Sequence, residues 1–290
     1  VVSKKETRKN LLIYDAINKI LIKNKIKAPK LISQNYKSKN IQIEDFGNNT
    51  IYQEIKKNNK KKIIYYKKII KLLNLIQKIK TKKIKTFLGS IYKVPKYSKR
   101  ILFDEAKLFI DWYVPKKIKK KYQILVKKKL ILAFKNLISK IKLSSKTFVH
   151  RDFHISNLMI KNKNLCVIDS QDAVFGNKAY DLASLIDDVR LKSSIAFKHN
   201  IFEEYIKTNK KINVTNFKND FEILSVLRNL KIIGIFTRLS IRDNKKIYLK
   251  YIPYTWKLIE QRIEQNKKFT ELKIILDKYF SKKIRNKYEN

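Results

Sequence analysis

The 290-residue chain sets 69 Lys+Arg against 24 Asp+Glu, for a formal net charge of +45 and a pI of about 10.1. Hydrophobic residues make up 44%, enough to core one large domain or two coupled lobes, and the single cysteine, Cys166, excludes an intrachain disulfide framework. No apolar stretch approaches the roughly 20 residues of a membrane-crossing helix, and "VVSKKETRKN" lacks a signal-peptide core, so a cytoplasmic protein with no membrane partner is expected.

In chain order, "VVS" reads as the end of a strand. "KNLLIYDAINKILIKN" carries apolar residues at helical period and should run as a helix until Pro29 breaks it. Leu31–Ile32 and Ile41–Ile43 read as short strands around a "KSKN" turn, and Gly47-Asn48-Asn49 is a loop. The pattern turns helical from about Lys60. "IIYYKKIIKLLNLIQKI", "RILFDEAKLFIDWYV" (stopped by Pro115) and "YQILVKKKLILAFKNLISKI" are three amphipathic helices. "NLMI" and "LCVID" then flank Lys161-Asn162-Lys163-Asn164, the one convincing strand pair of the second half. Beyond Ala179 the chain reads as helices to about residue 284. No internal repeat or low-complexity linker interrupts it.

The charge admits two readings. A polyanion partner such as nucleic acid is the direct one. Compositional bias is the other: only four Gly and four Pro occur, and lysines fill polar positions along the whole length. The even spread favours bias, with nonspecific nucleic-acid contact at low salt as a by-product.

Chemistry-bearing residues gather in "FVHRDFHISNLMIKNKNLCVIDSQD", Phe148 to Asp172. Two of the three histidines, His150 and His154, lie here around Asp152. Asn157 opens the first strand of the hairpin and Asp169 ends the second, positions that an antiparallel pair makes neighbours. An amide oxygen and a carboxylate therefore converge at one mouth, with a second carboxylate on the loop beside them. Hard oxygen ligands of this kind suit Mg²⁺, which leaves its other positions to phosphates and water. A further carboxylate can accept or orient a hydroxyl proton, the arrangement that phosphoryl transfer needs. A soft-metal site on His150 and His154 is disfavoured, because no further His or Cys stands near them. Cys166 alternates with Val167 in an apolar strand and is read as inert. Asp187 and Asp188 are read as solvated or paired with Arg190.

"HRDFHISN" with the following Asp169 resembles the catalytic loop and metal aspartate of the protein-kinase-like superfamily, in its aminoglycoside-phosphotransferase and choline-kinase branch. "IDSQDAVFGNKAYDLASL", "IEDFGNNTIYQ" and "LFDEAKLFIDWYV" are similar to the anomeric kinases of N-acetylmuramate and N-acetylglucosamine used in cell-wall recycling. The resemblance implies an α+β, two-lobed kinase-like fold. Residues 1–46 would form a partial N-terminal β lobe and hinge, and residues 47–290 a large, mainly helical catalytic lobe. It also implies ATP and Mg²⁺ as cofactors and a small-molecule amino sugar as substrate. Asp152 would be the catalytic base, and Asn157 and Asp169 the Mg²⁺ ligands. His150 would brace the metal-aspartate segment and Asp181 would cap the catalytic loop. Backbone groups of Glu44, Asp45 and Phe46 would meet adenine. Glu105, Asp111 and Trp112 lie where the acceptor sugar would be contacted, although a core role for Trp112 stays open.

One departure stands out. No Gly precedes Gly47, so the phosphate-covering loop of the family is not found, and a phosphate lysine would have to be Lys4 or Lys5. The chain, which lacks an initiating Met, is expected to start inside a longer gene product. Two other readings stay open: a kinase of another acceptor, such as a choline-like amino alcohol or an aminoglycoside, and a degenerate kinase or nucleic-acid-binding module.

Overall fold

The computed structural model describes residues 8–264 and 266–286. The expected strand end at Val1–Ser3 and the candidate lysines Lys4 and Lys5 lie outside the described residues. The chain opens with α1 (Arg8–Lys23), the hairpin β1–β2 (Leu31–Asn35, Asn40–Ile43), α2 (Ile51–Lys57), α3 (Lys62–Gln77) and the hairpin β3–β4 (Lys83–Lys85, Ile91–Lys93). Next come α4 (Lys99–Leu108), a π-helical turn (Phe109–Tyr113), α5 (Val114–Lys117) and α6 (Lys120–Ser139). Strand β5 (Thr147–Val149) enters the loop that carries Asp152. The hairpin β6–β7 (Leu158–Lys161, Asn164–Val167), β8 (Val174–Gly176) and α7 (Tyr180–Ile186) follow. The chain continues through α8 (Ile195–Lys207), α9 (Val214–Arg242), α10 (Ile252–Ile263), α11 (Thr270–Tyr279) and α12 (Lys282–Asn286).

These elements pack as two compact units that interleave along the chain. The first takes residues up to 97, 144–186 and 195–212. The second takes 98–143, 187–194 and 213–290.

In the first unit, α1 buries Ala16, Ile17, Ile20 and Leu21, the stripe that its period foretells. Its end comes before Pro29. The Ile26 N–H reaches back to the Leu21 carbonyl at 3.0 Å while Lys25 takes φ of 61°, so a left-handed cap, not the proline, stops the helix. Helical structure also resumes earlier than Lys60. Thr50 caps α2 in a reciprocal box with Gln53, a signal hidden inside the loop "GNNTIYQ". The β6–β7 hairpin has the expected register, from Leu158↔Val167 to Lys161↔Asn164. Asn162 and Lys163 both adopt positive φ, as a two-residue primed turn requires. It is not the only strand pair of the second half. β5 pairs with β8, Thr147↔Gly176 to Val149↔Val174. Those three-residue strands are far apart in sequence, too short to announce themselves by alternation.

In the second unit, the 29-residue helix α9 is the axis. Asn213 caps its start by accepting the Asn216 N–H at 2.9 Å. Fully buried Asp220 accepts the Lys142 and Leu143 N–H groups at 2.8 and 2.7 Å, holding the chain after α6. Phe109, Tyr113, Trp256 and Phe280 pack ring on ring, and the Trp256 indole N–H donates to the Tyr113 hydroxyl at 3.1 Å. Pro115 does not stop a continuous helix as expected. The ladder widens first, with the Val114 N–H reaching Phe109 O, and Pro115 then sits in the first turn of α5, where its missing N–H is no loss.

The α+β class read from the sequence is the class found, with helices dominant and the strands paired two by two. One contact in the second unit is unusually close. A Cβ built on Gly234 of α9 would clash with the Leu108 carbonyl carbon and lie 2.5 Å from the Leu108 oxygen and the Phe109 nitrogen. Backbone cannot yield as a flexible side chain does, so Gly234→Ala should destabilise the chain by about 3 kcal/mol. A thermal melt should register this as a drop of roughly 6–12 °C.

Candidate active site

The site grows from the end of β5. Its loop is held from behind by Asp181, fully buried in the first turn of α7. One Asp181 oxygen accepts the His150 N–H at 2.7 Å and the other accepts the Arg151 N–H at 3.0 Å. His150 is also fully buried, and its Nε2 lies 3.1 Å from the Ile168 carbonyl. A carbonyl only accepts, so Nε2 carries the proton. Burial holds the His150 pKa below its ordinary value of 6.5, against the opposing pull of Asp152 and Asp169. Phe153 and Ile155, both fully buried, root the rest of the loop.

Arg151 keeps φ at 72°, a left-handed conformation uncommon for a residue with a Cβ. Its guanidinium lies over the Tyr97 ring at 5.3 Å and donates to the Asp172 carbonyl at 3.2 Å. The loop is therefore tied to the segment that follows Asp169.

Asp152 presents a half-exposed side chain. Asn157 Nδ2 donates both to the Asp152 carbonyl at 3.0 Å and to Asp152 Oδ2 at 3.1 Å. That commits the nitrogen end of the amide and leaves Asn157 Oδ1 as the atom for another ligand. The Asn157 carbonyl accepts the Ile168 N–H at 3.1 Å, continuing the hairpin by one pair. Asp169 comes next, exposed, at φ of 61°. Its Oδ1 accepts from Gln171 Nε2 at 2.8 Å. The mouth of the hairpin thus brings Asn157 and Asp169 together, with two of its residues in strained backbone, Arg151 and Asp169.

Asn157 and Asp169 line a pocket of about 620 Å³ together with Glu44, Asp45 and Phe46. The segment 44–46 is fastened on both sides. Gly47, at φ of 74°, donates its N–H to Asp45 Oδ1 at 2.7 Å. Lys161 Nζ donates to Glu44 Oε1 at 3.0 Å and to the Asp45 carbonyl at 2.9 Å, and it stands over the Phe46 ring at 5.2 Å. That hydrogen bond to Lys161 holds the Glu44 carboxyl below its ordinary range. Sequence reasoning missed the apolar walls, Tyr14, Met159 and Ile168. Met159 could have been found, since strand period puts it on the same face as Asn157. Burial pushes the Tyr14 hydroxyl pKa up.

The other expected contact residues belong to the second unit. Glu105 is paired with Lys231 at 2.7 Å with little exposure of either side chain, and Asp111 is paired with Lys107 at 2.8 Å. Trp112 is partly buried in the π-helical turn. Asp187 and Asp188 are not solvated, as had been one expectation. Both are buried; Asp187 takes Arg262 at 3.0 Å and the Ser225 hydroxyl, and Asp188 takes Arg190 at 3.5 Å.

Among the described residues no group of three or more His, Cys, Asp or Glu side chains could hold a metal ion. A zinc-type centre on His150 and His154 has no place there. One amide oxygen and one carboxylate fit a hard cation that draws its remaining ligands from phosphate and water.

Residues 86–212 match the model of the phosphotransferase enzyme family. The match covers less than half of the chain. An N-acetylmuramate/N-acetylglucosamine kinase of Neisseria meningitidis is 30% identical to the chain over 166 residues, covering 55% of this chain and 50% of that protein. The protein of the same name from Pseudomonas aeruginosa is 25% identical over 255 residues, covering 85% and 72%. The chain thus spans half the length of the first relative. The chain also superposes on the ADP-bound aminoglycoside phosphotransferase APH(2'')-Ib. The TM-score is 0.56 at 16% identity, covering 90% of this chain and 84% of that one, which establishes the shared kinase-like fold. No helix among the described residues is long and apolar enough to cross a membrane.

The buried, neutral His150 makes the fold around the site sensitive to acid. The unfolded chain takes up a proton near pH 6.5 and the folded chain does so only lower, so stability falls as pH drops through and below 6.5. Melts at pH 7.5 and 5.5 should show this loss. His150→Gln, which does not titrate, should flatten the difference.

Proposed function

We propose that this chain is an ATP-dependent phosphotransferase acting on a hydroxyl of an amino sugar. The anomeric hydroxyl of N-acetylmuramate or N-acetylglucosamine is the first choice. One observation carries the reading. The amide of Asn157 is locked by Asp152 so that its oxygen is free, and it lines one pocket with the Asp169 carboxylate and the Glu44–Phe46 segment. The names of the relatives support the choice of acceptor.

In this reading the pocket takes the nucleotide, with its purine between Phe46, Met159 and Ile168 and against the backbone of residues 44–46. Asn157 Oδ1 and Asp169 would hold Mg²⁺, which when bound neutralises phosphate charge. Asp152 accepts or orients the proton of the attacking hydroxyl. His150 and Asp181 hold the loop that carries it. Residues 1–46 serve as the partial nucleotide lobe and hinge, and 47–290 as the catalytic lobe. Glu105, Asp111 and Trp112 stand as the acceptor-side residues. For Glu105 and Asp111 the role requires exchange of a lysine partner for a sugar hydroxyl. Contact with nucleic acid is a low-salt effect of the net charge, and it should fade at physiological ionic strength.

Incubation with ATP, Mg²⁺ and either sugar should give a sugar-1-phosphate signal by ³¹P NMR. Asp152→Ala should lower turnover by about 10²–10⁴-fold, with an unchanged melting curve. Asp169→Ala should abolish Mg²⁺-dependent turnover. Full activity in Asp152→Ala would sink the assignment of the base, and a phosphorylated product only with choline or an aminoglycoside would move the acceptor.

A further inference from the structure

His154 has no task in the account so far. It precedes the short 3₁₀ turn Ile155–Asn157, and its backbone closes the loop: its N–H donates to the Asp152 carbonyl at 3.1 Å and its carbonyl accepts the Asn157 N–H at 2.9 Å. Its side chain is 3% exposed. An imidazole that deep needs a partner for its polar atoms. The acid beside it is Asp152, whose Oδ1 lies 3.2 Å from His154 Nε2, with the N–H direction turned off the line of a good hydrogen bond. Asp152 Oδ2 is already met by Asn157 Nδ2. The carboxylate of Asp152 thus has a side chain of its own loop beside each oxygen, an amide hydrogen-bonded to Oδ2 and an imidazole 3.2 Å from Oδ1, while the side chain is half-exposed.

We propose that His154 is a positioning residue for Asp152. It fixes the rotation of the carboxylate so that one lone pair of Oδ1 faces the incoming hydroxyl, and its Nε2–H hydrogen bond tightens when the acceptor excludes water. Hydrogen bonds of this kind are often long and poorly aligned before substrate binds. The proposal rests on the phosphotransfer reading, and a direct measurement separates the two.

Two measurements test it on the full chain. The first is steady-state kinetics of wild type, His154→Phe and His154→Gln. Phe fills the space without a donor, and Gln restores an N–H. Phe should lower kcat about 10- to 100-fold with the KM for ATP and sugar unchanged within about twofold, as loss of an orienting partner does. Gln should recover most of the loss, and melting curves should verify that both variants fold. The second is long-range ¹H–¹⁵N NMR of the chain labelled on its three histidines, with and without Asp152→Asn. The His154 ring should be the Nε2–H tautomer, and its Nε2 signal should shift in the variant. Wild-type kcat in His154→Phe, or a His154 ring indifferent to Asp152→Asn, overturns the inference while leaving the kinase reading intact. A wild-type chain that transfers no phosphate while its His154 ring responds overturns the kinase reading and keeps the contact.

Discussion

The two-point grip of Asp181 on the backbone of His150 and Arg151 is the constraint on which the candidate site depends. A buried carboxylate is tolerable only where it is fully hydrogen-bonded, and here two main-chain donors meet its two oxygens. The same bonds hold Arg151 in a left-handed conformation that its Cβ disfavours. With the start of the loop fixed, His150 can reach the carbonyl of Ile168, and the chain on either side of that carbonyl is set. Asp152 and Asp169 are thereby located from a single buried anchor in α7. The order of dependence runs from the helix to the loop to the hairpin mouth.

Much of this was legible in residues. The turn "KNKN" between two apolar runs foretold the β6–β7 hairpin, and antiparallel pairing then made Asn157 and Ile168 partners. The period of "LLIYDAINKIL" foretold the buried face of α1. The family wording of "HRDFHISN" pointed to the loop. What escaped was structure that leaves no periodic trace. Three-residue strands such as β5 and β8 find each other only through the tertiary fold. The left-handed cap at Lys25 is formed by a residue with no preference for it. Thr50 and Gln53 announce a helix only to a reader who already knows that the loop has ended. The side chains around the pocket escaped for another reason: α1, the 44–46 segment and the hairpin meet there from distant parts of the sequence.

The charge illustrates how composition can mislead. A net +45 suggests an interface for polyanions, yet many lysines in this chain have local tasks. Lys231 holds Glu105, Lys268 holds Glu222, and Lys19 lies on the buried Asp15. In a chain so poor in acids, each carboxylate that the fold needs is surrounded by candidate cations. Two of the acids that go inward, Asp181 and Asp220, are instead met by backbone N–H groups, which no charge count detects.

Lys161 shows what such a lysine can add. It sits at the last pair of the β6 strand, and its ammonium joins the turn of the hairpin to the 44–46 segment through a carboxylate, a carbonyl and an aromatic face. Asn157 stands immediately before the other end of the same short strand. A shift of the segment that lines one wall of the pocket would have to break those contacts or carry the strand along. The wall that would meet a base and the residue that would meet a phosphate-bound cation are thus linked like the two ends of a ruler, so that the pocket has a built-in length.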